Sequence, residues 1–154
     1  LHDYTWRISD FRILPGVFEA CRKWQSEGYL LIVVTNQGGI AKGLYGHDDV
    51  KKLHDHMLSL FSEQGITIHD IYYCPHHPVA GNCLCRKPGS LLVEKALATH
   101  HVDPSLSVFI GDRERDVDAG AGAGVAGILV PVNTDLMLAY HRFGSVKTSS
   151  AQKT

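Results

Sequence analysis

"YLLIVVT", residues 29–35, is apolar and largely β-branched from end to end. A strand of that composition has no polar face to turn to water, so it must be covered on both sides, as strands of parallel sheets are. The segments around it alternate in kind. Before it, "PGVFEACRKWQSEG" sets Val17, Ala20, Cys21 and Trp24 at helical spacing and stops at Gly28. After it, "HDDVKKLHDHMLSLFSEQG" carries Val50, Leu53, Met57 and Phe61 along one helical face and runs into a second strand, "ITIHDIYYC". A third helix from Ser90 to His100 leads to "LSVFIGD", and a fourth after Asp112 leads to "GILV". Alternating helix and strand predict an α/β fold: a Rossmann-like, mostly parallel sheet with helices on both faces and no large cap domain.

With 154 residues, 44% of them hydrophobic, the chain can bury one sizeable core but not two. We expect one domain over residues 1–143, followed by a solvated tail, "GSVKTSSAQKT", at 144–154. A formal net charge of −1 with dispersed cations argues against nucleic acid as a partner. No apolar run approaches the roughly 20 residues that span a bilayer. The N-terminal residues lack the charged and apolar regions of a signal peptide. The expectation is a cytoplasmic monomer acting on a small molecule.

Ligands of such sheets bind beyond the carboxyl ends of the strands, which singles out the ends at Thr35, Cys74 and Asp112. At the first, "VVTNQGGIAKG" joins a hydroxyl, an amide and glycine-rich backbone directly to a buried strand, a combination able to cradle an anion with N–H groups. At the third, "FIGDRERD" puts Asp112 at a strand tip and Asp116 one helical turn on. Gly122, Gly124 and Gly127 satisfy G-x-G-x-x-G, but they follow a helix rather than open one, so a dinucleotide site is not expected there. Close packing of a small-residue helix face on the sheet is the expected role of "AGAGAG".

The middle strand end opens "CPHHPVAGNCLCRKPG", residues 74–89, which gathers three of the four cysteines. Cys74 and His76, then Cys83 and Cys85, form two closely spaced pairs from one loop, enough for a closed tetrahedral Cys₃His site and therefore a structural Zn²⁺. His77 competes with His76 as the fourth ligand. Reduced thiols as ligands suit a reducing compartment. Metal would order a loop with little core of its own and so fix Arg86 and Lys87 at the mouth of the sheet, where their charge also offsets that of the thiolates.

"VVTNQGGIAKG", "YYCPHHP", "CLCRKPG" and "IGDRERD", in this order and at this separation, resemble the haloacid dehalogenase superfamily of phosphatases. More narrowly they are similar to its small zinc-containing branch, which includes heptose 1,7-bisphosphate phosphatases and histidinol-phosphate phosphatase domains. The resemblance runs from about His2 to Val130. It implies a Mg²⁺-dependent phosphomonoester hydrolase working through an aspartyl-phosphate. By the same resemblance Thr35 holds a phosphoryl oxygen, Asn36 contacts substrate, and Lys87 neutralises charge on the nucleophile and the transferring phosphoryl group. Asp112 is implied as the Mg²⁺ ligand with Asp116 supporting its loop, and Arg86 and Arg113 as contacts to substrate phosphate or polar groups. Cys74, His76, Cys83 and Cys85 match the structural zinc ligands.

One element of the pattern is absent from residues 1–154: an apolar strand ending in Asp-x-Asp, which in that superfamily supplies nucleophile and general acid/base. Asp3 follows no strand, Asp10 precedes the first helix, and Asp116 and Asp118 fall in the fourth. The expectation is a catalytic strand upstream of Leu1, without which the 154 residues are inactive. Heptose 1,7-bisphosphate is the expected substrate on the strength of "TNQGGIAKG" and "IYYCPHHP". Histidinol phosphate is the alternative, suggested by "RKPGSLLVEKAL" and "GDRERD", and an inactive zinc-stabilised binding domain is the alternative of another class.

Overall fold

The computed structural model describes residues 4–143; the polar tail at 144–154 lies outside the described residues. From residue 17 to residue 129 four helices and four strands follow in order: α1 Val17–Ser26, β1 Leu31–Asn36, α2 His47–Glu63, β2 Ile68–Cys74, α3 Leu91–Thr99, β3 Val108–Gly111, α4 Glu114–Gly122 and β4 Ala126–Leu129; residues 137–143 are again helical. Each falls where the sequence pattern places it. In α1 the periodic residues Ala20, Cys21 and Trp24 are buried; in α2 they are Val50, Leu53 and Phe61, and the Gly46 N–H that opens the helix donates to the Asp49 carboxylate at 2.9 Å.

β1 pairs parallel with β2, bringing Val34 opposite Tyr72 and Asn36 opposite Cys74. β3 pairs parallel with β4, with Ile110 opposite Ile128. Tyr73 of β2 meets His47 of α2, whereas Asp70, an odd number of residues away, meets His100 at the end of α3. Side chains alternate across a strand, so α2 and α3 cover opposite faces of this pair. The predicted arrangement of helices on both faces is therefore present.

The sheet itself differs from a single continuous one. Among the described residues β1 has only β2 and β3 only β4 as strand partners. A cavity of about 730 Å³ is lined by β1 and β3, through Leu31 to Val34 and Val108 to Ile110, together with apolar side chains of α1 and α3.

Packing is otherwise close. Ala20, Trp24, Ile128, Val130, Ala139 and Phe143 form one buried cluster, and Cys21, Phe61 and Ile66 another. Burial pushes the Cys21 thiol up to about 11, which makes it an inert core group rather than a ligand. The small-residue face of α4 lies on β3, with Val93, Ala119 and Val125 around Phe109. Gly122 ends α4 and Gly127 lies within β4, so these glycines close a helix as expected and open none.

Candidate active site and metal centre

The carboxyl ends of β1 and β3 meet at one ammonium group. Lys87 Nζ lies 2.9 Å from the Val34 carbonyl oxygen of β1 and 2.7 Å from the Asp116 carboxylate in the first turn of α4. Both charged side chains are largely covered, 12% and 7% exposed, so each needs the other: an unpaired charge at that depth would be costly. The second Asp116 oxygen accepts from the Arg113 N–H at 3.1 Å, which ties Lys87 to the loop carrying Asp112 and Arg113. Asp112 follows β3 directly and is exposed, as a ligand for a solvated cation must be.

Asn36 is the last residue of β1, and its carboxamide faces the backbone of Lys87. Oδ1 accepts from the Lys87 N–H at 3.1 Å and Nδ2 donates to the Lys87 carbonyl at 3.3 Å. The residue expected as a substrate contact is thus bonded to the lysine. Thr35, one position earlier, is half-buried opposite Tyr73.

Cys74, His76, Cys83 and Cys85 come together as the spacing predicts, their ligand atoms all within 4.8 Å of one another. Cys74 Sγ lies 3.0 Å from Cys85 Sγ and 3.6 Å from Cys83 Sγ; His76 Nδ1 is 3.6 Å and 3.2 Å from the sulfurs of Cys74 and Cys85. Zn–S bonds of about 2.3 Å and Zn–N bonds of about 2.0 Å span a tetrahedron with edges of about 3.5 to 3.8 Å. Five of the six edges measure 3.0 to 3.7 Å and all six lie within 4.8 Å, so the four ligand atoms surround one point at separations near those of such a polyhedron. His77 is not in the cluster, because its Nδ1 accepts from the Val79 N–H at 3.2 Å. Burial, and then hydrogen bonding with Cys85, pushes the metal-free Cys74 thiol up to about 12, so a metal entering here displaces protons.

A chain from Campylobacter jejuni, D-glycero-alpha-D-manno-heptose-1,7-bisphosphate 7-phosphatase, is 42% identical over 132 residues, covering 86% of this chain and 74% of that one. This chain belongs to the heptose-1,7-bisphosphate phosphatase family. D-glycero-beta-D-manno-heptose-1,7-bisphosphate 7-phosphatase from Haemophilus influenzae is 37% identical over 129 residues, covering 80% and 70% of the two chains. A HAD-hydrolase-like family model matches residues 84–136, the span from the cysteine loop through β4. Among solved structures, the D,D-heptose 1,7-bisphosphate phosphatase of B. bronchiseptica, complexed with magnesium and phosphate, superposes with a TM-score of 0.79 at 25% identity, over 100% of this chain and 92% of that one.

Within this phosphatase, two strand tips admit site residues by lacking a Cβ. A Cβ on Gly38 would stand 2.8 Å from Arg86 Nη1 and 3.1 Å from the His76 carbonyl oxygen; on Gly111 it would stand 2.2 Å from the Asp116 Cβ. Arg86 Nη1 donates to that His76 carbonyl at 3.1 Å, so the guanidinium is held beside the glycine turn. His77 is kept below its ordinary pKa by desolvation and then by the nearby Lys42 and Arg86 cations, which marks this rim as electropositive.

Two residues passed over in the sequence complete the turn. Gln37 is buried; its N–H donates to the Cys74 carbonyl at 2.7 Å and its side-chain oxygen accepts from the Tyr45 hydroxyl at 2.7 Å. A glutamine in a glycine turn with a tyrosine eight residues on was the only signal available.

Proposed function

We propose that the protein is a Mg²⁺-dependent phosphatase that removes phosphate from D-glycero-D-manno-heptose 1,7-bisphosphate. The observation that carries this reading is the Lys87 ammonium fixed between β1 and the Asp116 carboxylate that braces the loop of exposed Asp112, in a chain whose relatives bear that activity in their names. The nucleophile is an aspartate on an apolar strand that the cavity lined by β1 and β3 accommodates, since both strands face it with unpaired edges. Its carboxylate attacks phosphorus and the P–O ester bond breaks. The sugar oxygen leaves with a proton from a neighbouring acid on that strand, and water then hydrolyses the acyl phosphate.

Lys87 offsets the charge that gathers on nucleophile and phosphoryl oxygens, and does so without reorganising because its other contacts hold it. Thr35 holds a phosphoryl oxygen, and Arg86 and Arg113 engage the rest of the substrate. Mg²⁺ held by Asp112 would supply charge neutralisation at the phosphoryl group. Zn²⁺ held by Cys74, His76, Cys83 and Cys85 serves structure, since four protein ligands leave no open position. Thiolate ligands to zinc suit a reducing compartment, which supports the cytoplasm as the location in this reading.

The test is steady-state kinetics on the complete gene product with both anomers of the heptose bisphosphate and with histidinol phosphate. Asp112→Asn and Lys87→Ala each lower kcat/KM by at least about 100-fold. Near-normal turnover in either variant, or a preference for histidinol phosphate, overturns the reading.

A further inference from the structure

We infer that Asn36 is a positioning residue that acts through Lys87, and this rests on the phosphatase reading above. Lys87 lies in the loop that carries the metal ligands, two residues past Cys85, and its backbone is gripped at both N–H and C=O by one carboxamide. Such a two-point clamp fixes the position of the Lys87 Cα and the orientation of the two peptide groups that flank it, because the N–H and the C=O of one residue belong to successive peptide units and the one planar carboxamide holds both. The carboxamide itself is rooted in β1, where Asn36 pairs with Cys74, the first metal ligand.

The ammonium is thereby held from two ends. Asn36 sets where the Lys87 side chain starts; the Val34 carbonyl at 2.9 Å and the Asp116 carboxylate at 2.7 Å set where it finishes. An ammonium has three donors, and these two contacts leave one for the reacting groups. Were the clamp removed, the cation would keep its charge and its neighbours but lose the anchoring that aims the third donor. Asn36 therefore contributes to the rate of the chemical step and not to substrate affinity.

Kinetics of the zinc-loaded, complete gene product with heptose 1,7-bisphosphate and Mg²⁺ decide this. Asn36→Ala lowers kcat by about 10- to 100-fold, the scale of a misplaced catalytic group, while KM stays within about twofold. Zinc content stays at the wild-type level. In a Lys87→Met background the same change adds less than about threefold, since a residue that acts through Lys87 has nothing left to position. Asn36→Asp, which keeps the acceptor for the Lys87 N–H and loses the donor to its carbonyl, repeats the pattern if the alanine variant folds poorly. A loss expressed as raised KM, or one that multiplies fully with Lys87→Met, overturns the inference and makes Asn36 a substrate contact. Near-normal turnover of Lys87→Met itself overturns the phosphatase site, and the clamp's role with it.

Discussion

Gly38, two residues past β1, and Gly111, the last residue of β3, stand at the carboxyl ends of the two strands that feed the site, and each lets a charged side chain lie where a Cβ would be. They differ in what lies there. Beside Gly38 it is the tip of Arg86, a long side chain with room to swing, with the fixed His76 carbonyl at 3.1 Å; beside Gly111 it is the Cβ of Asp116, only 2.2 Å from where an alanine methyl would sit. The first half of the site is thus assembled from reach: flexible side chains and a loop drawn in by ligands. The second is assembled from packing, with the functional carboxylate rooted in a helix that lies on the sheet.

The largest break in that comparison is metal removal. The loop at 74–89 borrows its order from four ligands, whereas β3, α4 and β4 have a hydrophobic cluster of their own. We expect about one zinc per chain in protein purified without added metal. Chelation, or Cys83→Ser, should abolish zinc binding and phosphatase activity and raise hydrogen exchange across 74–89, while the amides of β3 and β4 stay protected. Elemental analysis and exchange mass spectrometry check this. Zinc near zero in the native protein, or exchange rising equally in both halves, would overturn the division.

Next come the glycines. Gly111→Ala forces the first turn of α4 away from β3, an overpacking cost of about 1 to 3 kcal/mol. The turn that moves carries Asp116, so Lys87 loses its partner and activity falls by at least about 100-fold. Gly38→Ala displaces the Arg86 tip and presses lightly on the His76 carbonyl and the His77 ring, and we expect a stability change under about 1 kcal/mol with a several-fold rise in KM. Thermal unfolding beside steady-state kinetics separates the two; equal losses in both variants would show that side-chain reach and packing are equivalent here.

Much of this was readable in the sequence, and the reason differs by residue. Helices and strands were legible because Val50, Leu53 and Phe61 recur with a helical period and "YLLIVVT" has none. The metal cluster was legible because its ligands are close in sequence, so proximity in space follows from loop length. His76 could not be separated from His77, since that choice depends on which ring nitrogen meets a backbone N–H, a matter of loop geometry. The Lys87–Asp116 pair and the Asn36 clamp join residues 29 and 51 positions apart, and no local pattern encodes either. Nor does any pattern report that β1 and β3 each lack a second strand partner among the described residues, because the periodicity of a strand says how it is covered and not what pairs with its edge.

The smallest expected effect sharpens the comparison through a second ion pair. Towards the opposite end of the strands Asp70 of β2 meets His100 at 3.0 Å, a distance close to the 2.7 Å of Lys87 and Asp116, but Asp70 is 38% and His100 20% exposed, against 12% for Lys87 and 7% for Asp116. Water screens the outer pair, so its worth is that of a surface contact, about 0 to 1 kcal/mol. The Asp70 carboxyl is held below its ordinary value by the hydrogen bond with His100 first, then by those with Tyr72 and the Ile71 N–H. A carboxyl with a lowered folded pKa contributes stability that is fully present above the unfolded value, about 3.9, and is lost as pH falls through the folded value. Asp70→Asn should therefore unfold more easily than wild type by no more than about 1 kcal/mol at neutral pH, and the gap should close in acid once the wild-type carboxyl is protonated. Acid also strips the thiolates of metal, but it does so in both proteins, so the difference between their unfolding midpoints at each pH isolates the carboxyl. A gap that persists in acid would assign the loss to packing, and a gap well above 1 kcal/mol at neutral pH would mean that the outer pair is shielded as the inner one is.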